Sequence, residues 1–445
     1  FGIRLDGGNG FEGSEITPFY DSLLVKVTAF SRTFEDTRRK AIRALSEMVI
    51  KGIKTNVAFM LNVLNHPTFA AGMCDTGFIA NTPDLLNIEK VEDNELKVIE
   101  FLGNKFVNET KGHKPQFNVP VFPKFKKEEL SGLRGTKQLL DENGPKAVAD
   151  WVKEQQKLLI TDTTMRDAQQ SLMATRVRTV DMEKIAPAVS VYGKDLFSVE
   201  MWGGATFDTS YRFLKESPWE RLDTLREKMP NILFQMLIRG ANAVGYKNYP
   251  DNVIREFVKE SARSGIDVFR IFDSLNWLDG MTVALDETLK QDKIAEACLC
   301  YTGDILDESR TKYNLKYYVE MAKELEKRGA HMLGIKDMSG LLKPMAAYKL
   351  VSTLKEEIGI PIHLHTHDTS GNGVATTLMA AQAGVDVVDA AFNSMSGLTS
   401  QPALNSIVAA LQNSNRDTGI DSDKIQKISE YWRDVRPVYA GFESE

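Results

Sequence analysis

The sequence predicts an α/β protein whose larger part is a TIM (β/α)8 barrel. Three observations predict it. Eight short apolar runs follow one another from Lys157 onward, amphipathic helical stretches separate them, and polar or charged residues close many of the runs. The runs are LLITDTTMRDA, LFSVEMWGG, ILFQMLIRG, VFRIFDSLN, IAEACLCYTG, MLGIKDMSG, IHLHTHDT and VDVVDAAFN. Between them, VIREFVKESARSG and YYVEMAKELEKRG repeat apolar residues at three- and four-residue spacing, the mark of a helix with one buried face. Eight such units over roughly 240 residues match the size of a barrel. A doubly wound open sheet is the alternative, but it wants a glycine-rich phosphate turn after its first strand, and LLITDTTMRDA has none.

A chain of 445 residues is too long for one compact core. Residues 1–90 start abruptly, as a cut domain would. Val25 and Val27 close a strand-like run, a helical pattern runs from Glu35 to about Met48, and KGIKTNVAFMLNVLNHPTF reads as a turn and a second helix. Residues 91–156 are polar, with prolines at 115, 120, 123 and 145, and read as a connector carrying helices around Glu95–Phe101 and Gly144–Gln156. The barrel takes residues 157–445, with a polar helical stretch beyond Gln412 and an abrupt stop at GFESE.

Composition excludes some classes of function. A net charge of −6 and a pI near 5.7 argue against a nucleic-acid partner. No apolar run approaches the roughly 20 residues that span a bilayer. Three cysteines are too few for a disulfide framework, which points to a reducing compartment. Cys298 and Cys300 alternate within an apolar run, as on a buried strand.

Polar groups at the carboxyl ends of barrel strands face the active-site mouth. The first run ends in Asp167, with Arg166 before it and Gln170 after; the third ends in Arg239, the sixth in Lys336, and the seventh in His365 and His367. Three of the six histidines fall within HLHTH, and residues two apart on a strand share one face. His365 and His367 therefore suit a metal, with Asp167 as a carboxylate partner, while His363 lies a layer deeper and reads as packed interior. Lys336 at the inner end of a strand is costly to bury as a cation. It could pair with Asp337, line a wet cavity, or react with CO₂ to become an anionic carbamate. Arg239, followed by Gly240, offers a planar cation for a carboxylate or an enolate oxygen, with a structural salt bridge as the alternative. Asp208, Tyr246, Asp273 and Asp389 read singly as loop residues, helix caps or ion pairs. GGNG at 7–10 lacks the strand and helix of a phosphate loop, and KFKKEEL reads as a solvated helix start.

Four long motifs, DTTMRDAQQSLMATRVRT, MLIRGANAVGY, GIKDMSGLLKP and HLHTHDTSGNG, resemble the carboxyltransferase domain of the biotin-dependent pyruvate carboxylases. PFYDSLLVKV and GIKTNVAFMLNVL resemble the end of that family's biotin carboxylase domain, and the connector resembles its linker and part of its tetramerisation region. The resemblance implies a divalent metal, Mn²⁺ or Zn²⁺, held by Asp167, His365, His367 and a carbamylated Lys336. It implies that Arg239, Gln170 and Arg166 hold pyruvate and that Asp208 and Tyr246 seat the biotin ring. CO₂ released from carboxybiotin would then be captured by pyruvate enolate to give oxaloacetate. Further implications are a biotin carboxyl carrier domain as partner, a dimer of barrels within a tetramer, and a cytoplasmic or, in a eukaryote, mitochondrial location. Biotin itself and ATP would be handled elsewhere in the full-length enzyme, since the chain has neither an Ala-Met-Lys-Met motif nor a glycine-rich ATP loop. Two departures stand out: Gln169 occupies a position where the family commonly has His, and the family's proton-shuttling threonine would lie beyond Glu445. Biotin-dependent exchange by this chain alone is therefore expected to be feeble. An oxaloacetate decarboxylase or transcarboxylase subunit, an acyl-CoA lyase or synthase, and an inactive scaffold are the competing readings.

Overall fold

The computed structural model describes residues 2–8, 16, 22–50, 53–88, 98, 101–105 and 119–443. The chain falls into two compact units, Phe1–Thr110 and Lys111–Glu445.

In the first unit, β1 (Ile3–Gly7) pairs antiparallel with β2 (Val25–Ala29). The helix Phe34–Ser46 follows, its amino end capped by the Thr33 side chain accepting from the Asp36 N–H. A second helix spans Val57–Asn65. The strand through Val25 and Val27 and both helices are where the sequence placed them, whereas IRLDG alternates too briefly to announce β1. Of the helix expected around Glu95–Phe101 only Val98 and Phe101 are described, both helical, and Asn9 and Gly10 of GGNG lie outside the described residues.

The second unit is a closed barrel of eight parallel strands. They are β3 (Leu159–Asp162), β4 (Ser198–Trp202), β5 (Leu233–Ile238), β6 (Val268–Ile271), β7 (Ile294–Cys300), β8 (Met332–Asp337), β9 (Ile362–Thr366) and β10 (Val387–Ala390). Each of the eight apolar runs holds one strand. Neighbours in sequence pair in order, and β10 closes on β3 through Val387 with Leu159 to Ala390 with Asp162. Outward residues such as Ile160, Val199, Phe234 and Ile335 pack on the helical ring in one large core.

The interior is layered. Leu159, Phe197, Leu233, Val268, Ile294, Met332 and Val387 form an apolar floor. Leu140, Val148 and Val152 of the helix Thr136–Glu154 seal that floor from below. This helix starts earlier than the sequence suggested and breaks at Gly144, whose φ of +79° suits a residue without Cβ, before Pro145 opens its second half. Above the floor the lining turns polar, with Thr161, Glu200, Gln235, Arg270, Glu296, His363 and Asp389 all buried. Gly334 lets this layer close: a Cβ there would lie 2.3 Å from Cys298 Sγ and 3.0 Å from Glu296 Oε1. Gly334→Ala is expected to destabilise the barrel by about 1–3 kcal/mol through overpacking. Urea denaturation should show part of the loss restored by adding Cys298→Ala; a neutral Gly334→Ala would contradict this account.

Candidate metal centre and adjoining cavity

Asp167 reaches the barrel mouth on a single wide turn, Thr164–Ala168, closed by the Ala168 N–H donating to the Thr163 carbonyl at 3.2 Å. Asp162, on the outer face of β3, holds that turn: its Oδ1 accepts from the Thr164 N–H at 3.0 Å and from Thr164 Oγ1 at 2.5 Å. Burial pushes the Asp162 carboxyl up to about 7, its bonds to Thr164 opposing. The turn sets Asp167 Oδ2 at 3.3 Å from His365 Nε2 and 3.6 Å from His367 Nε2.

Hydrogen-bond partners fix which ring nitrogen carries the lone pair. His367 Nδ1 lies 2.6 Å from the Thr399 carbonyl, which only accepts, so Nδ1 holds the hydrogen and Nε2 carries the lone pair, with the Gln401 amide nitrogen 3.4 Å from it. His365 Nδ1 lies 2.5 Å from Asp389 Oδ2, leaving its Nε2 toward Asp167. Asp167 Oδ2 and His365 Nε2 are both buried without a hydrogen-bond partner. Orphaning a buried polar atom costs about 1–3 kcal/mol. A cation relieves both at once. Two ligand atoms about 2.0–2.1 Å from a tetrahedral ion stand roughly 3.4 Å apart, close to the 3.3 and 3.6 Å found here. Asp167, His365 and His367 thus fit a divalent metal. Burial above all pushes His365 down to about 3, so it offers a neutral imidazole. Burial opposes ionisation of Asp167, but the charges around it, led by the Arg166 guanidinium 3.1 Å away, hold it below the usual carboxylate range.

Lys336 stands in register beside His365 on the neighbouring strand and is buried. Its Nζ lies 5.3 Å from the centre of the Phe272 ring, with no hydrogen-bond or ion-pair partner among the described residues. Pairing with Asp337, one option read from the sequence, does not occur. Asp337 faces the other way and accepts from the Leu341 and Leu342 N–H groups and from Thr366 Oγ1.

Beneath the metal ligands lies a charged cluster whose Arg270, Glu296 and Glu200 the sequence reading missed. Arg270 Nε donates to Glu296 Oε1 at 2.5 Å, and its Nη1 and Nη2 donate to the Asp389 carboxylate. His363 sits between Glu296 Oε2 and Asp389 Oδ1, at 2.8 Å from each. Burial opposes every charge here, but Arg270 and His363 outweigh it and hold Glu296 and Asp389 below the carboxylate range. Higher up, Arg166 Nη2 donates to Glu200 Oε1 at 2.5 Å and lies 3.1 Å from Asp167 Oδ2. A charged residue inside an apolar strand, as in SVEMW, VFRIF and IAEACLC, was the available signal, since only a partnered interior tolerates one. Asp389 is an ion-pair residue, as one reading had it, but it lies inside the barrel and not at the rim. Asp273 caps its loop, accepting from the Leu275 and Trp277 N–H groups.

The other candidates gather beside this centre. Gln170 Oε1 accepts from Arg166 Nη1 at 3.4 Å. Gly203 and Gly204 follow β4; Cβ atoms there would stand 3.3 Å from Arg166 Cδ and 3.2 Å from Arg239 Cζ, so the glycine pair lies against both guanidiniums. Arg239 donates from Nη1 to the Gly245 carbonyl at 3.1 Å and sits 5.1 Å from the Tyr246 ring centre. Its Nε and Nη2 have no partner among the described residues. Asp208 and Tyr246 line a cavity of about 570 Å³ with Phe207, Tyr211 and Tyr249, and Asp208 pairs with Arg212 at 3.3 Å. Gln169 points away from the centre: buried, it accepts from the Val177 N–H and donates to the Met165 carbonyl, bracing its own loop.

Residues 1–81 match the biotin carboxylase C-terminal domain, and residues 292–431 match the HMGL-like family. Pyruvate carboxylase of Bacillus subtilis is 56% identical over 100% of this chain, which spans 39% of that protein. Human mitochondrial pyruvate carboxylase is 48% identical over 99% of the chain, which spans 38% of it. The carboxyl transferase domain of Rhizobium etli pyruvate carboxylase, solved with pyruvate and biocytin, superposes with a TM-score of 0.72 at 55% identity, covering 74% of this chain and 55% of that one. The complete multifunctional Rhizobium etli enzyme gives 0.73 at 50% identity, covering 100% of this chain and 44% of that one. The chain belongs to the pyruvate carboxylase family and spans well under half the length of the curated relatives it matches.

Proposed function

We propose that the barrel carries out the carboxyltransferase half-reaction of pyruvate carboxylase, passing CO₂ from a biotin carrier domain to pyruvate to give oxaloacetate. The observation that carries this reading is the convergence of Asp167, His365 and His367 on one point beside a buried Lys336 that has no ion partner among the described residues. The ligands would be those three and Lys336 as its carbamate. With neutral histidines, Asp167 and a carbamate supply two negative charges, matching a divalent Mn²⁺ or Zn²⁺. An ammonium at Lys336 would leave none in balance. When bound, the metal supplies an electrophile for the enolate oxygen and biotin supplies the CO₂.

The chain's own residues do the rest. Arg239 keeps two donor groups free beside Arg166 and Gln170, a setting that orients the pyruvate carboxylate and steadies charge on the enolate. Asp208 and Tyr246 give the adjoining cavity one acceptor and one aromatic face, which suit the ureido ring of biotin. The match of residues 1–81 to a biotin carboxylase end favours this reading over a free-standing decarboxylase or transcarboxylase subunit. By the same family reasoning we place residues 1–90 in the carboxylase domain, 91–156 in the linker and tetramerisation region, and 157–445 in the carboxyltransferase domain. The barrels would pair as dimers within a tetramer in the bacterial cytoplasm or, in a eukaryote, the mitochondrial matrix; no helix among the described residues is long and apolar enough to cross a membrane.

The test is pyruvate binding near the ion. Mn²⁺-loaded chain should broaden the pyruvate methyl proton signal, and Arg239→Ala should weaken that binding by about 10-fold or more, as expected for a charge-assisted bond worth 1.5–3 kcal/mol. Undiminished broadening with Arg239→Ala, or none with the parent chain, would remove the substrate assignment.

A further inference from the structure

We propose that Asp389 is a positioning residue of the metal centre: its carboxylate keeps the His365 hydrogen on Nδ1, so that Nε2 faces Asp167 and His367 with its lone pair. This rests on the metal-centre reading above and extends it to a residue that is not itself a ligand.

The geometry is that of a saturated acceptor. Asp389 Oδ2 takes His365 Nδ1 at 2.5 Å and Arg270 Nη1, while Oδ1 takes His363 Nε2 at 2.8 Å and Arg270 Nη2 at 3.1 Å. Four donors fill the four lone-pair directions of an ionised carboxylate. The carboxylate therefore cannot swing toward an ion without breaking one of these bonds. Arg270 Nη1 also lies 3.5 Å from His365 Nδ1. It could use an Nδ1 lone pair, but at that separation it loses to an anionic oxygen a full ångström closer. Arg270 is tied in turn to Glu296, and both nitrogens of His363 face carboxylates. His363 shares the inward face of β9 with His365 yet belongs to the support of Asp389 and not to the ligand set. Donating the non-ligating nitrogen of a metal histidine to a carboxylate fixes both its tautomer and its ring plane.

The experiment compares Zn²⁺ affinity of the full chain, by competition with a fluorescent chelator, for parent, Asp389→Asn and Glu296→Gln. An amide at 389 either donates to His365 Nδ1, forcing the hydrogen to Nε2, or turns its N–H toward the Arg270 guanidinium. Asp389→Asn should weaken Zn²⁺ binding by about 10–100-fold. Glu296→Gln, in the same cluster but without contact to His365, should weaken it far less. Equal affinity of parent and Asp389→Asn, or equal losses in the two variants, overturns the proposal. A parent that binds no Zn²⁺ overturns the metal-centre reading instead. Nitrogen-15 histidine spectra of the unmodified, metal-free chain decide the role even if a variant fails to fold: His365 with hydrogen on Nδ1 supports it, and hydrogen on Nε2 overturns it.

Discussion

Arg270→Met is expected to cost the barrel about 3–5 kcal/mol, the penalty for leaving buried charge unpaired. Arg270 is 1% exposed and donates to both Glu296 and Asp389. Deleting it strands two carboxylates whose remaining partners among the described residues include His363 and, for Asp389, His365, with no guanidinium left between them. Arg270→Lys should recover only part of the loss, because an ammonium cannot present a planar fork to two carboxylates on separate strands. Urea denaturation followed by circular dichroism measures the difference. Parent-like stability of Arg270→Met would mean that the cluster contributes shape alone. Replacing Arg270, Glu296 and Asp389 together by apolar residues should cost less than Arg270→Met by itself, since no charge is then left behind.

Lys336→Ala is expected to lower Zn²⁺ affinity by at least about 100-fold. Losing an outer hydrogen-bond partner of a metal site costs 10–100-fold, and losing a direct anionic ligand costs no less. Lys336→Arg should behave as Lys336→Ala does, since a guanidinium keeps the positive charge but cannot form the carbamate. Native mass spectrometry of the parent should find one CO₂ on Lys336 together with one metal ion, and the increment should vanish in both variants. Full metal content in Lys336→Ala would remove this lysine from the centre.

The barrel was legible because its signal is repeated eight times. Every strand is a short apolar run between helical patterns, and no single misreading could overturn eight agreements. The metal ligands were legible for a local reason: alternation along β9 puts His365 and His367 on one face, and β3 must end near β9 because β10 alone separates them around the circle. Arg270 and Glu296 were not legible. Besides each other, their partners lie on β10 and β9, far along the chain, and nothing in VFRIF or IAEACLC says which strand supplies them. The bracing role of Gln169 was hidden for a related reason, since nothing in its local sequence says that the side chain turns back to Val177 and Met165. The same holds for Lys336 and Asp337, adjacent in sequence yet on opposite faces of β8.

The sealed floor has a consequence for traffic. With seven apolar side chains plugging one end and a helix laid across them, the barrel is a cul-de-sac and not a corridor. Any small molecule that reaches Asp167 from solvent must enter, turn over and depart by the same rim. Whatever stands in that doorway therefore governs arrival and escape together, and a gaseous intermediate set free inside would have no back exit through which to be lost.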